Sequence, residues 1–261
     1  MIQALLWDVD GTLAETERDG HRPAFNQAFA ALGLDWHWDE ARYGQLLRTT
    51  GGRERLLIDM ATRSDAPPAV ERERLAQQLH RLKNRFYAER VAAGEIALRP
   101  GVRELVDEAT ERGLRQAIVT TTSRANVEAL LLRHFGPRWN RCFTVLVCGE
   151  DVAAKKPDAE AYQRALQALG LGPLATLAIE DSFAGAHAAR AADVPVVVTR
   201  SAYFANDVVE GAIAVGPGLH TRGGWLPQLG SPGDSGYSGG RIALDDLADW
   251  HARMDLTSLY G

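Results

Sequence analysis

The chain has 261 residues, 46% of them hydrophobic, so it can bury a sizeable core. Its net charge of −5, from 34 acidic and 29 basic residues, includes no long block of one sign, which disfavours nucleic acid as a partner. Neither a secretory signal pattern nor an apolar run near the ~20 residues that span a bilayer is visible, so we expect a cytoplasmic protein without a membrane partner.

Six short apolar runs are typical of strands that are buried on both faces of a sheet. In chain order they cover residues 2–7, 114–120, 143–148, 176–180, 194–199 and 212–215. Four helices are indicated by their ends: Pro100 and Gly101 open one that closes at Gly113, Ser123 caps a second, Asp158 begins a third that stops at Gly170, and Ser182 caps a fourth. Strands that alternate with helices predict an α/β fold with a doubly wound parallel sheet.

The connection between the first two strands is far longer than a simple crossover requires. Residues 17–92 contain no strand-like run, but they show helical spacing of apolar residues at Phe25, Phe29 and Leu32, and again at Leu75, Leu79, Leu82 and Phe86. We interpret this segment as a small helical domain, inserted between residues 1–16 and 93–261 of the core through linkers near residues 15 and 93. The segment SDAPPAV, residues 64–70, is expected to separate two of its helices.

The C-terminal region is rich in glycine and proline. Nine of the 25 residues from Gly216 to Gly240 are glycine and three are proline, so we expect a mobile surface loop over residues 216–240. A short strand and a helix are predicted to follow in RIALDDLADWHARM, residues 241–254.

The first strand ends in two carboxylates, at the place where an open parallel sheet binds its ligands. Asp8 and Asp10 directly follow the apolar run, and Gly11 permits a tight turn beside them. Two carboxylates this close repel each other unless a cation neutralises them. The pair therefore indicates a divalent metal.

Further polar residues follow the later strands. Thr120, Thr121, Thr122 and Ser123 lead into a helix N-terminus, Lys155 and Lys156 follow the third strand, and Glu180 and Asp181 lie at the end of the fourth. Only one of the two lysines is expected to bind a given phosphate, and the other to be solvated. Carboxylates, hydroxyl donors and a cation, brought together in this way, are the groups that Mg²⁺-assisted phosphoryl transfer requires.

These four motifs, in this order, resemble the haloacid dehalogenase (HAD) superfamily, and the resemblance covers the chain to about residue 215. Residues 14–26, 49–56, 120–130 and 155–162 are most similar to its CbbY-like branch of sugar-phosphate phosphatases, which is related to β-phosphoglucomutase. The resemblance implies a Rossmann-like core with a helical cap after the first strand, Mg²⁺ as cofactor, and a sugar bisphosphate such as xylulose 1,5-bisphosphate as substrate.

The resemblance also implies roles for individual residues. Asp8 would be the nucleophile that forms an aspartyl-phosphate, and Asp10 the general acid and then the base for water. Mg²⁺ would be held by Asp8, the Asp10 backbone carbonyl and Asp181, with Glu180 beside it. The remaining candidates would bind the substrate: Thr120, Thr121 and Lys156 at the transferring phosphoryl group, and Glu15, His21, Gly52, Arg53 and Lys83 at the sugar or a distal phosphate.

Several alternatives remain open at this level. His21, Arg53 and Lys83 are each explained about as well by a solvated position on the surface. A phosphosugar mutase, a phosphoglycolate-type phosphatase and a non-catalytic metabolite-binding protein are alternative functions, whereas haloacid dehalogenation is disfavoured because its halide leaving group needs no proton from Asp10. The oligomeric state is left between a monomer and a small homo-oligomer.

Overall fold

The protein is described from a computed structural model, which covers residues 1–227 and 240–257, the side chains of 254–257 excepted. Its centre is a six-stranded parallel sheet in the order β3-β2-β1-β4-β5-β6. The strands are β1 (Ala4–Trp7), β2 (Arg115–Val119), β3 (Val145–Val147), β4 (Thr176–Glu180), β5 (Val196–Thr199) and β6 (Ala214–Gly216). All six strands predicted from the sequence are confirmed, as is the parallel α/β fold.

Helices cover both faces of this sheet and fill the connection after β1. They are α1 (Arg22–Ala31), α2 (Glu40–Leu46), α3 (Gly52–Thr62), α4 (Ala69–Ala93), α5 (Val102–Glu111), α6 (Arg124–Phe135), α7 (Glu160–Leu169), α8 (Phe183–Ala191) and α9 (Leu244–Thr257). A π-helical segment, Glu17–His21, precedes α1. Among the described residues, no helix is both long and apolar enough to cross a membrane.

Both faces of the sheet are buried, because successive side chains of each strand point to opposite sides and helices cover both sides. Leu5 and Trp7 of β1 join the core beneath α5, α6 and α9, whereas Leu6 joins the core beneath α7 and α8. The indole Nε1 of buried Trp7 donates to Gln116 Oε1 at 2.9 Å, so this polar atom is not left unpaired in the core. The sheet is therefore a rigid support for the residues that follow its strands.

Residues 17–93 form what we call the helical insertion. Its core contains aromatic rings, and Phe25 packs against Trp38 with the ring centroids 4.7 Å apart. The helical spacing predicted around Phe25 and Leu79 is confirmed, since both side chains are fully buried. Residues 63–68 separate α3 from α4, as expected from the proline pair.

The C-terminal region differs from its prediction in two respects. Trp225, inside the glycine-rich segment, is fully buried and packs against Trp250 of α9 at 4.8 Å. The predicted surface loop is therefore wrong at Trp225, whose buried ring fixes residues 216–227 to the core although this segment is poor in other core residues. Residues 228–239 lie outside the described part. The short strand predicted before α9 is wrong for residues 241–243, which pair with no strand of the described part, although the Ile242 backbone N–H donates to the Leu219 carbonyl at 2.8 Å.

Candidate active site

Asp8 lies at the carboxyl end of the central strand, where β2 and β4 end beside it. Its backbone N–H donates to Ile179 at 3.0 Å and so continues the ladder with β4 beyond the last residue of β1. Lys156 Nζ lies 2.8 Å from Asp8 Oδ1 and 2.6 Å from Glu180 Oε1, and it also donates to the Val119 carbonyl at 2.7 Å. The loop after β3 thus brings one cation onto two carboxylates, Asp8 directly after β1 and Glu180 at the end of β4.

Glu180 is held by two donors. Tyr162 of α7 donates its hydroxyl to Glu180 Oε1 at 2.5 Å, on the same oxygen that accepts from Lys156. The other carboxylate oxygen, Oε2, is buried without a hydrogen-bond partner among the described residues. Gly185 makes room for it, because a Cβ there would lie 1.9 Å from Oε2.

Asp181 completes a buried acidic cluster with Asp8 and Glu180, in which ligand oxygens of all three lie within 4.8 Å of one another. Burial, together with repulsion by Glu180, raises the pKa of Asp8 to about 8 although Lys156 opposes the change. Burial and repulsion by Asp8 raise the pKa of Asp181 well above its usual range, although Ser201 donates a hydrogen bond to it.

These residues fit a divalent metal ion. The cluster offers carboxylate oxygens, which are the ligands that Mg²⁺ prefers, and burial together with mutual repulsion raises the pKa of both Asp8 and Asp181, a cost that a bound cation would offset. Gly11, with φ +85°, leaves the space that Asp181 occupies, since a Cβ would lie 1.9 Å from Asp181 Oδ2. The sequence could not show that Lys156 contacts both Asp8 and Glu180, nor that Tyr162 donates a second hydrogen bond to Glu180.

Asp10 faces the helical insertion instead of the acidic cluster. Its Oδ1 accepts from Thr16 Oγ1 at 2.5 Å and lies 3.0 Å from His21 Nε2. Burial alone would raise the pKa of Asp10, but the His21 charge and the hydrogen bonds from His21 and Thr16 outweigh it and hold the pKa well below its usual range. The carboxylate is therefore ionised in this arrangement.

Two cavities meet at Asp10, one of about 430 Å³ on the side of Asp8, Lys156 and Asp181, and one of about 190 Å³ beneath α3 and α4. Thr121 lines both. The other predicted substrate residues that reach the smaller cavity are His21, Gly52, Arg53 and Lys83.

Two predicted substrate residues are placed differently. Within the part of the chain that the structure describes, neither cavity is lined by Glu15 or Thr120. The Glu15 carboxylate lies 3.4 Å from Arg99, and it accepts from the backbone N–H of Ala202. The Thr120 hydroxyl accepts from the backbone N–H of Thr122 at 3.2 Å and so shapes the turn after β2.

The two weakest cationic candidates differ in their surroundings. Arg53 is half-exposed, and its guanidinium pairs with Glu73 at 2.7 Å, so it is partly a surface cation. Lys83 is buried over the Phe25 and Tyr87 rings. Burial lowers the pKa of Lys83 to about 8, although Glu17 and Asp10 oppose the change.

Sequence reasoning missed a buried group at the junction of the two cavities. Arg55 of α3 lies 2.9 Å from Glu17 Oε1, and Tyr43 donates its hydroxyl to Glu17 Oε2 at 2.5 Å. Both Arg55 and Glu17 line both cavities. The signal was helical spacing, because Arg55 shares the buried side of α3 with Leu56 and Asp59, whereas Arg53 does not.

Lys155 was expected to be solvated beside Lys156, and the structure places it against the helical insertion. Its Nζ lies 2.8 Å from Glu54 Oε1 of α3, and it lines the smaller cavity. The backbone of Lys156 is tied to the same region, since Thr50 donates its hydroxyl to the Lys156 carbonyl at 2.8 Å. Core and insertion are therefore in direct contact at the site.

Comparison with known proteins agrees with this geometry. The family model of haloacid dehalogenase-like hydrolases matches residues 2–193. The chain is 49% identical to Protein CbbY of Rhodobacter capsulatus over 206 residues, which are 79% of this chain and 88% of that protein. It is 46% identical over 235 residues to the plasmid-borne Protein CbbY of Cupriavidus necator, covering 89% of this chain and 88% of that protein.

A solved structure is also similar. It is a mutant of CbbY from Rhodobacter sphaeroides in complex with xylulose-(1,5)-bisphosphate, with a TM-score of 0.76 and 43% identity over 81% of this chain and 92% of that chain. The acidic cluster, the lysine upon it and these likenesses lead to one conclusion. The chain belongs to the haloacid dehalogenase-like hydrolases, in their CbbY-like branch, and is a phosphatase of that family.

Proposed function

We propose that the protein is a Mg²⁺-dependent phosphatase that hydrolyses a small phosphorylated sugar through an aspartyl-phosphate on Asp8. The preferred substrate is a sugar bisphosphate such as xylulose 1,5-bisphosphate. One observation carries the proposal: Lys156 Nζ lies 2.8 Å from the Asp8 carboxylate at the floor of a cavity. A cation in this position attracts the phosphoryl group to the nucleophile and offsets its charge.

The Asp8 carboxylate attacks phosphorus, the bond to the sugar oxygen breaks, and the leaving oxygen takes a proton from Asp10. Water then attacks the aspartyl-phosphate, gives a proton to Asp10 and releases phosphate. Asp10 is ionised while Thr16 and His21 hold it, so it must first take up a proton. A phosphorylated substrate favours this uptake, because its negative charge raises the pKa of a neighbouring carboxyl group.

Asp8, Asp181 and the Asp10 backbone carbonyl would hold the metal, with Glu180 beside it. When bound, Mg²⁺ neutralises charge on the transferring phosphoryl group. Glu180 also positions Lys156, whose Nζ lies 2.6 Å from the Glu180 carboxylate. Its carboxylate thereby keeps the lysine directed at Asp8, with support from the Tyr162 hydroxyl.

The paired cavities support a substrate with two phosphates. The smaller one is lined by Gly51 and Gly52 at the start of α3, where the first backbone N–H groups have no partner within the helix and favour an anion, and by Arg53, Arg55 and Lys155. A phosphate there would be separated by the sugar from the one at Asp8. The helical insertion would act as a cap that excludes water, with Glu17 and Arg55 at the sugar. The bisphosphate in the similar CbbY structure agrees with this proposal.

The test is release of inorganic phosphate from a panel of pentose and hexose mono- and bisphosphates, with and without Mg²⁺. We expect the highest kcat/KM for a bisphosphate, activity that depends on Mg²⁺, and a loss of at least about 10³-fold in Asp8→Asn. The matched control is Asp107→Asn, an exposed position on α5. Undiminished turnover in Asp8→Asn contradicts the proposal. Conversion of a hexose 1-phosphate to the 6-phosphate without phosphate release would identify a mutase instead.

A further inference from the structure

Arg99 lies in the second linker, between the helical insertion and α5, and its side chain is nearly buried. Its guanidinium donates to the Gly11 carbonyl and to the carbonyls of Thr199, Arg200 and Pro217, the last three at 2.6–3.2 Å. One side chain therefore joins the turn after β1 to the ends of β5 and β6.

The same residue also joins the two linkers of the insertion. Arg99 Nε lies 3.4 Å from Glu15 Oε1 in the first linker, and the Arg99 backbone N–H donates to the Leu13 carbonyl at 2.8 Å. Glu15 in turn accepts from the backbone N–H of Ala202 at 3.3 Å. The linkers are thereby fixed to the turn that follows β5.

Two of the segments that Arg99 holds are the walls against which Asp181 packs. Gly11 forms one wall, since a Cβ there would lie 1.9 Å from Asp181 Oδ2 and 3.0 Å from Ser201 Cβ. Ser201 forms the other, because its hydroxyl donates to the Asp181 carboxylate and the preceding carbonyl, of Arg200, accepts from Arg99. A shift of the guanidinium would move both walls together.

Arginine suits this position for a physical reason. Its planar fork carries five N–H donors and can reach carbonyls on several segments at once, whereas the donors of lysine radiate from one nitrogen. Burial lowers the pKa of Arg99, although Glu15 and Asp181 oppose the change. The guanidinium nevertheless stays charged, as arginine does in proteins, and contributes positive charge near Asp181.

We propose that Arg99 is a positioning residue that holds the Asp181 carboxylate in place relative to Asp8 and so sets the affinity of the site for a divalent cation. The inference rests on the proposed function, because it takes Asp8 and Asp181 as metal ligands. Groups that orient metal ligands commonly contribute 10–100-fold to metal affinity.

The experiment measures cation binding directly, in the absence of substrate. Mn²⁺, which shares the oxygen preference of Mg²⁺, is followed by the electron paramagnetic resonance of the free ion, with Mg²⁺ as competitor. We expect Arg99→Lys to weaken Mn²⁺ binding about tenfold. The matched control is Arg115→Lys, whose guanidinium donates to the Leu169 carbonyl at the opposite end of the sheet, and it should bind Mn²⁺ like the wild type.

A second variant keeps the proposal open to test if Arg99→Lys does not fold. Ser201→Ala removes only the hydroxyl that donates a hydrogen bond to the Asp181 carboxylate. We expect this variant to bind Mn²⁺ about threefold more weakly. At saturating Mg²⁺ both variants should recover kcat with an unchanged KM for the sugar phosphate. Wild-type Mn²⁺ affinity in either variant, with or without a lower Tm, overturns the proposal. Failure of the wild type itself to bind Mn²⁺ would instead contradict the proposed function.

Discussion

At the scale of single residues, two glycines with the same left-handed backbone have different surroundings. Gly11 has φ +85° and faces Asp181, whereas Gly113, with φ +73°, has nothing within 4 Å of the place where a Cβ would be. An alanine at either position carries the same backbone cost, about 1–2 kcal/mol. The difference between the two substitutions therefore isolates the space that Asp181 needs.

We expect Gly11→Ala to abolish most Mg²⁺-dependent phosphate release, by about 10²-fold or more, because the new Cβ must displace the Asp181 carboxylate. Gly113→Ala should lower Tm but retain the wild-type kcat. Phosphate release and thermal melting of both variants check the prediction. Equal activity of the two alanine variants would show that the position of Asp181 does not matter for the reaction.

At the scale of elements, the start of α3 contacts the loop that carries Lys156. The pair of Glu54 and Lys155, at 2.8 Å, and the hydrogen bond from Thr50 to the Lys156 carbonyl join the insertion to the core beside the cavities. Both charged side chains are partly exposed, so the pair contributes on the order of 0.5 kcal/mol. Its effect should appear in the fraction of molecules whose helical insertion contacts the core, and therefore in substrate binding, more than in the rate of the chemical step.

We expect Lys155→Met to raise KM at least about threefold with little change in kcat, because it breaks the contact between insertion and core and also removes a cation from the smaller cavity. Glu54→Gln should act in the same direction, and the double variant should cost less than the sum of the two. Steady-state kinetics on a sugar bisphosphate measures these values. The control is Arg85→Met, from the exposed pair with Glu89 on α4. Additive effects of Lys155→Met and Glu54→Gln would contradict a direct contact.

At the scale of the whole molecule, the buried acidic cluster makes folding stability depend on pH. Asp8 is unprotonated in the unfolded chain above its ordinary pKa of 3.8, whereas in the folded protein its pKa is about 8. The folded state thus binds more protons between these values, so its stability must fall as pH rises through them. Asp181 acts in the same direction, because its pKa is also raised.

We expect the metal-free protein to lose about 5 °C in Tm between pH 6.5 and 8, which is on the order of 1–2 kcal/mol for a chain of this size. Two groups make stability rise with pH instead, because burial lowers their pKa values. His80, with a pKa of about 4, acts mainly below this pH range, and Lys83, with a pKa of about 8, acts mainly above it. Excess Mg²⁺ should remove most of the fall, since it neutralises the cluster.

Scanning calorimetry with EDTA and with Mg²⁺ measures this dependence. Asp8→Asn is the comparison, because it removes the Asp8 carboxylate, and its Tm should fall less over the same window, with the remaining fall due to Asp181, whose pKa burial still raises. A wild-type Tm that rises between pH 6.5 and 8 without metal would contradict the assigned charge state of the cluster.

The sequence by itself determined the six strands, the helical nature of the insertion and the polar residues at the strand ends. These follow from local patterns: apolar runs of strand length, apolar spacing of helix period, and motifs that directly follow a strand. The acidic pairs and the two lysines could be placed together because parallel strands bring their carboxyl ends to one edge of the sheet, whereas the choice of Lys156 came from the resemblance to the superfamily motif.

The tertiary structure alone decided which neighbours these groups have. Nothing local to Arg55, Lys155 or Arg99 shows that the first meets Glu17, the second Glu54 and the third the Gly11 turn, since 38, 101 and 88 residues of chain separate the partners. The charge state of Asp8 and the burial of Trp225 were likewise fixed by packing. Contacts between distant segments depend on how helices and strands meet in space, and a local pattern carries no information about that meeting.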